Sequence, residues 1–314
     1  GGYLPFFGNI TKLLVPGENT LTVLAIDALD HDYPYGKQTK KRGGMWYTPV
    51  TGIWQTVWLE AVPERFILNL QIKPDLTGIS VHPCGNQGRC EIEVSYQGEK
   101  VAQGEFRDGM WCRIDIPEEH RHLWTPEEPH LYDMTVRGQS GDVVHSYFAL
   151  RTVDIQPDKH GVNRLCLNGR PIFLNGVLDQ GYFTDGHYLP GDPKEYDRDI
   201  LRMKALGFNM LRKHIKVEPE AFYEACDRLG MLVVQDMVNN GGYSYLFDTV
   251  LPTIGFQWRP NWPVSQRRKD IFEICAWDTI CHLHNHPCVI GYTIFNEGWG
   301  QFDADRVYRK LKAL

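Results

Sequence analysis

The sequence lacks any excess of positive charge. Lys and Arg total 33 against 39 Asp and Glu, and no Lys/Arg-rich block builds a basic face. Neutralising phosphate supplies most of the affinity for nucleic acid, so that class of partner is excluded. No apolar run approaches the ~18 residues of a membrane span, and no membrane partner is expected. The opening residues carry no basic-then-apolar signal segment. The eight cysteines have no zinc-site spacing. Most sit singly in apolar patterns, as do Cys166, Cys226, Cys275, Cys281 and Cys288, and read as buried thiols of a reduced, cytoplasmic compartment. Cys84 and Cys90 are the one pair spaced to close a short loop.

Aromatic residues, by contrast, are plentiful. Nine Trp and fifteen Tyr exceed what turns need and would suit a carbohydrate site, although most are expected in the core.

Three patterns follow one another along the chain. Over residues 1–61, "NTLTVLAI" and "GIWQTVWLEAV" alternate apolar and polar positions, which predicts strands. Two or three strands cannot close a sandwich, so this stretch reads as the later part of a larger β-domain. Residues 62–155 hold short strands at even spacing ("RFILNLQIKP", "RCEIEVSYQG", "WCRIDIP", "HLYDMTVRG", "VVHSYFALRTVDI"), the pattern of an immunoglobulin-like antiparallel sandwich. From 156 to 314 buried strands alternate with helices. "RPIFLNGV", "FNMLRKH", "MLVVQD" and "CVIGYTIFNE" are the strands. "GDPKEYDRDILRMKALG" is a helix capped by Asp192, with Pro193 first, Glu195 in capping-box place and Gly207 as its stop. "EPEAFYEACDRLG" and "RRKDIFEICAWDTICHLHNHP" are the next two.

Such alternation means a parallel sheet covered by helices. No Gly-rich phosphate loop follows the first strand, which argues against an open nucleotide-binding sheet. Polar residues gather instead at the C-terminal strand ends: Asp179 and Gln180, Arg212 and His214, Asp236, then Asn296 and Glu297. A closed (β/α)8 barrel carries its chemistry there, and four strand–helix units are half of one. The fold class is therefore multidomain, β followed by α/β.

Glu297 ends a dry strand, where desolvation would suit a general acid. Asn296 can bond a substrate hydroxyl, and Trp299 can offer a stacking face. The competing reading is an ion pair between Glu297 and Arg212. His282, His284 and His286 invite a metal site, but only His282 and His286 share a helix face and no third carboxylate ligand is near in sequence, so no metal is expected.

The motif "NHPCVIGYTIFNE" resembles the fourth barrel strand and acid/base of glycoside hydrolase family 2, which holds the β-galactosidases and β-glucuronidases. "TGIWQTVWLE" is similar to the end of that family's sugar-binding jelly roll, and "HLWTPEEPHLYDMTV" with "SYFALRTVDI" to its immunoglobulin-like domain. "LNGRPIFLNGV", "RDILRMKALGFNMLRKH" and "FYEACDRLGMLVVQD" match the barrel entry and its first two helix–strand units, in family order. The resemblance implies retaining hydrolysis of a terminal β-linked sugar, a β-galactoside first and a β-glucuronide second, without a cofactor. It implies that Glu297 is the acid/base, that Asn296 binds the sugar 2-hydroxyl, and that Arg212 and His214 line the pocket floor. Asp179, Gln180, Asp236 and Trp299 are further substrate-binding candidates. The family's Asn-Arg-His after the first strand is replaced by Leu178, Asp179 and Gln180, and its magnesium-binding Glu-x-His falls on Asn240 and Gly242.

Retaining glycosidases need a second carboxylate ~5–5.5 Å from the first. The family's nucleophile lies on the seventh strand, which is expected beyond Leu314, so these residues alone are expected to show no turnover. A non-catalytic carbohydrate-binding or scaffold chain is the alternative. Open half-barrel edges predict self-association into a homo-oligomer.

Overall fold

The computed structural model describes residues 2–107, 109–256, 264–297 and 299–313. Seven antiparallel strands form a two-sheet sandwich: β1 Ile67–Pro74, β2 Gly78–Gly85, β3 Cys90–Tyr96, β4 Glu99–Phe106, β5 Cys112–Asp115, β6 Tyr132–Gly138 and β7 Val143–Phe148. One sheet runs β1-β2-β5 and the other β4-β3-β6-β7. In β3, Cys90, Ile92 and Val94 are buried while Glu91 and Glu93 point to solvent, so period-two alternation writes the core directly. Their partners across the core include Ile72, Ile79, Val81 and Ile114 from the other sheet.

The sequence patterns miss β2 and β4. In β2, Pro83 looks like a strand breaker, but β5 pairs only with Gly78–Val81, so the missing N–H lies on an unpaired edge. In β4, Gly104 interrupts the alternation because a Cβ there would approach Ile114 Cγ1 to 2.7 Å and Cys112 Sγ to 2.9 Å. Cys84 and Cys90 lie in different sheets and are not joined to each other, so the short disulfide loop does not form.

A small sheet links the sandwich to the barrel strands: β8 Val153–Pro157, β9 Asn163–Leu167 and β10 Arg170–Pro171. Asn168 and Gly169 turn the β9–β10 hairpin with φ of 53° and 71°, both left-handed as a tight two-residue turn requires. The strand expected over 170–177 is thus two pieces, because this hairpin claims Arg170–Pro171.

The parallel sheet comprises β11 Gly176–Asp179, β12 Met210–Lys213, β13 Leu232–Asp236 and β14 Val289–Thr293. Helices α1 Lys194–Ala205, α2 Glu220–Leu229 and α3 Gln266–Leu283 connect them, and α4 Ala304–Lys312 follows β14. Strand order is sequential, β11-β12-β13-β14, with no reversal, which is the progression of a barrel rather than of a doubly wound sheet. Two of the expected boundary signals of α1 hold, but Glu195 pairs with Arg198 and Arg202 instead of closing a capping box. Asp192 Oδ1 accepts from Lys194 N at 3.0 Å, and Gly207 (φ 88°) leaves α1. Gly230 ends α2 in the left-handed conformation.

Residues before β1 depart from expectation. "NTLTVLAI" and "GIWQTVWLEAV" form no strand, and Leu21, Val23, Leu24, Ile26, Val57 and Trp58 are exposed. Extended backbone becomes a strand only when a neighbour takes its hydrogen bonds, and no described segment lies alongside either stretch to pair with it. The middle of this region nonetheless docks on the barrel strands. Tyr35 N donates to Asn239 O at 3.1 Å, and its hydroxyl donates to Gly241 O at 2.7 Å. Tyr47 stacks on Tyr182 with centroids 3.8 Å apart.

Candidate active site

Alternation along β12 sends Leu211 and Lys213 toward the helices and Arg212 to the opposite face. The Arg212 guanidinium ties three strand ends together. Its Nε donates to Asp236 Oδ1 at 2.9 Å after β12 meets β13, and its Nη2 donates to Asn296 Oδ1 at 2.6 Å beyond β14. The other Asp236 oxygen holds His214 Nδ1 at 2.9 Å. Asp236 is fully buried and spends both oxygens on these two partners. Because the Asn296 oxygen faces the guanidinium, its amide N–H groups are left to donate elsewhere, and no described residue accepts from them.

Glu297 stands one residue further, four positions after β14 ends, and is exposed rather than desolvated because the chain has already left the sheet. Its Oε2 accepts from Trp299 Nε1 at 3.0 Å. Arg212 is committed to Asp236 and Asn296, and no ion pair within 4 Å of Glu297 occurs among the described residues. The alternative of a structural Arg212–Glu297 pair is therefore overturned. Trp299 corrects a second expectation. It is only 2% exposed, so it orients the carboxylate instead of presenting a stacking face.

Around Trp299 close Tyr35, Trp46 and Tyr243, with centroids 5.9, 5.8 and 6.2 Å from it. Trp46 and Tyr243 are half-buried and provide the aromatic wall. Lys37 reaches the same region, its Nζ 5.6 Å from the Trp46 ring centre. Burial pushes the Lys37 ammonium below its usual range, while the charge of Glu297 acts in the opposite sense. None of these four was singled out from the sequence. The available signal was the aromatic richness of "HDYPYGKQTKKRGGMWYTPV", a segment far from the barrel in chain order.

Asp179 is not brought to this face. It shares the helix side of β11 with Val177, binds Lys213 Nζ at 2.9 Å, and accepts from Gly181 N at 2.9 Å. Burial opposes its ionisation, but the Lys213 charge outweighs that and holds the carboxyl below the usual range. Lys213 and Lys216 also grip the fully buried Glu218 at 2.7 and 2.9 Å. Asp179 is thus a structural ion pair. Gln180 is half-buried beside it, and its Oε1 has no hydrogen-bond partner among the described residues.

The histidines of "HLHNHP" also have structural partners. His286 Nδ1 lies 2.7 Å from Asp227 and its Nε2 2.8 Å from Glu220, while His282 faces Glu220 at 3.4 Å. Among the described residues no group of three or more His, Cys, Asp and Glu side chains is placed to hold a metal ion.

The strand ends therefore offer an exposed carboxylate oriented by an indole, an amide donor beside it, and an arginine–aspartate–histidine floor. Asp236 and Asp179 are both engaged, so neither is free to act as a second, nucleophilic carboxylate.

Residues 160–314 match the family model described as "Glycosyl hydrolases family 2, TIM barrel domain". A β-galactosidase of Thermoanaerobacter pseudethanolicus is 24% identical over 96% of this chain and 40% of its own length. "Beta-galactosidase 2" of Enterobacter cloacae is 28% identical over 98% of this chain and 30% of its own. Among solved structures, a β-glucuronidase from Ruminococcus gnavus bound to a C6-substituted uronic isofagomine superposes with a TM-score of 0.63 at 19% identity. It covers 81% of this chain and 40% of that one. The chain thus spans well under half the length of these relatives.

Proposed function

We propose, on the premise that this chain belongs to glycoside hydrolase family 2, that the protein carrying it hydrolyses terminal β-linked sugars with retention. The observation that carries this reading is Glu297, exposed at the end of the fourth parallel strand, fixed by Trp299 and flanked by the free amide of Asn296. In this role Glu297 protonates the departing glycosidic oxygen and later takes a proton from water. The Asn296 amide donates to a sugar hydroxyl, and Arg212 with His214 forms the floor that Asp236 holds in place. The nucleophile is assigned to a carboxylate outside these 314 residues. The chemistry calls for no cofactor.

Terminal β-galactosides are the first expected substrates, since the curated relatives matched are β-galactosidases. β-Glucuronides are the second. The sandwich is read as the immunoglobulin-like domain, and residues 1–61 as part of a sugar-binding jelly roll. A reducing, cytoplasmic compartment is proposed from cysteine usage: Cys166, Cys226 and Cys288 are buried thiols as expected, whereas Cys275 is half-buried and Cys281 is exposed on α3. The reading from another class, carbohydrate binding without turnover, is favoured by one observation: among the described strand-end residues, Asp179 and Asp236 are both engaged and neither is free as a second carboxylate.

Hydrolysis of aryl β-galactosides and β-glucuronides by the full-length protein tests the proposal. Glu297→Gln should lower kcat/KM by ~10²–10⁴ for poor leaving groups, the usual span of general acid catalysis. Unchanged turnover in the variant would remove Glu297 from the mechanism.

A further inference from the structure

Lys37 is 5% exposed, yet among the described residues its ammonium has no hydrogen-bond or ion-pair partner. The side chain is largely buried, but its Nζ is not fully enclosed, so the ammonium keeps an opening through which an anion can reach it. Other buried lysines in this fold show the contrast. Lys213 and Lys216 both sit on Glu218 within 3 Å. Lys37 instead reaches Glu297 only through the aromatic wall: its Nζ lies 5.6 Å from the Trp46 ring centre, Trp46 lies 5.8 Å from Trp299, and Trp299 Nε1 donates to Glu297.

Lys37 is also not alone. Lys40, Lys41 and Arg42 follow on the same loop, all exposed and none within 4 Å of a carboxylate among the described residues. The loop is closed at its base. Gln38 bridges to Tyr47, and Tyr47 N donates to Lys37 O at 3.0 Å. Arg42 is five residues on and can lie at most ~18 Å from Lys37, and Gly43 pairs back to Trp46, so the tip stays tethered to the base of the loop. A chain of net charge −6 thus carries, in one loop, four cations that have no carboxylate within 4 Å among the described residues, with Lys37 nearest the acid/base.

The geometry points to a subsite for an anionic group, a carboxylate or sulfate ester, on the leaving-group side of the hydrolysed bond, with Lys37 as its specificity-determining contact. This rests on the reading of Glu297 as acid/base, because the carboxylate that protonates the departing oxygen marks the leaving-group side. Lys37 would bind the anion directly, and Lys40, Lys41 and Arg42 would draw acidic oligosaccharides to the rim. The substrate class is then an acidic glycan whose next sugar carries the charge.

The test compares, in the full-length protein, β-glycosides with three leaving groups of matched shape: neutral, carboxylated and sulfated. The anionic members should show kcat/KM about ten-fold above the neutral one, the effect of one charge-assisted contact worth ~1.4 kcal/mol. Lys37→Gln should collapse the ratio to near one, Lys37→Arg should keep most of it, and 0.5 M NaCl should narrow it. The carboxylate and sulfate arms identify which anion is preferred. A ratio of one in the wild type, or a ratio untouched by Lys37→Gln, overturns the inference. Calorimetric titration with the carboxylated and sulfated disaccharides separates the two readings. Lys37-dependent binding in a protein that turns over no glycoside supports the subsite and defeats the hydrolase reading. Glu297-dependent turnover with no anion preference does the reverse.

Discussion

His286 gives the sharpest quantitative expectation. It sits in the turn between α3 and β14, 8% exposed, with one ring nitrogen on Asp227 and the other on Glu220, both from α2. Tyr147 of the sandwich donates to the same Asp227 oxygen at 2.8 Å, and Arg151 donates to Val289 O at 3.0 Å. The imidazolium therefore lies at the joint between sandwich and barrel. Burial alone would lower its pKa, but the two carboxylates outweigh that and push it from 6.5 up to about 9. At ~1.36 kcal/mol per unit this is worth roughly 3 kcal/mol, trimmed toward 2 because the Glu220 side chain is largely in water. A folded pKa above the unfolded one means the contribution is complete below pH 6.5 and is lost as pH rises through about 9. Other groups titrate in this window. Lys216, lowered to about 8 chiefly by burial, acts in the opposite sense, since its depressed pKa lets stability rise with pH. Such terms cancel when the wild type is compared with His286→Gln. Urea denaturation of both at intervals from pH 6 to 10 should show the stability gap shrinking by about 2–3 kcal/mol across the range. A gap that stays constant with pH would refute the argument, as would an imidazole seen by NMR to titrate near 6.5.

Two further expectations concern the site and the loop that covers it. Asp236→Ala leaves a buried imidazole and a partly buried guanidinium without their shared acceptor. It should cost about 2–4 kcal/mol in urea denaturation and lower hydrolysis at least as strongly as the loss of Arg212 itself. Gly36→Ala places a Cβ 2.6 Å from Tyr3 Oη and 2.7 Å from Ile215 O, at a φ of 62° that costs an L-residue ~1–2 kcal/mol. It should loosen residues 31–50 from the strand ends, read out as faster tryptic cleavage at Lys40, Lys41 and Arg42. Unchanged cleavage would mean the loop is held by other contacts.

Much of this architecture is written in local periodicity, and the exceptions have physical causes. Alternating Cys90, Ile92 and Val94 announce β3, and Asp192 with Gly207 bounds α1, because these signals depend only on a residue's near neighbours. Gly104 and Pro83 hide two strands because their reasons, a close approach from another sheet and an unpaired edge, exist only in three dimensions. "NTLTVLAI" errs the other way: its alternation is genuine, but a strand also needs a partner. The site divides along the same line. Arg212, His214, Asp236, Asn296 and Glu297 were legible because strand ends of a parallel sheet collect polar side chains at one rim. Asp179 was misread because strand-end position does not specify which face a side chain takes, and one residue's offset turns it to the helix side. Lys37 and Trp46 were invisible because their meeting with the barrel depends on contacts such as Tyr35 to Gly241, 206 residues apart. Specificity in this protein is therefore expected where local patterns are weakest. The barrel strands position the proposed acid and its floor, while a loop without secondary structure supplies the charge proposed to choose the substrate.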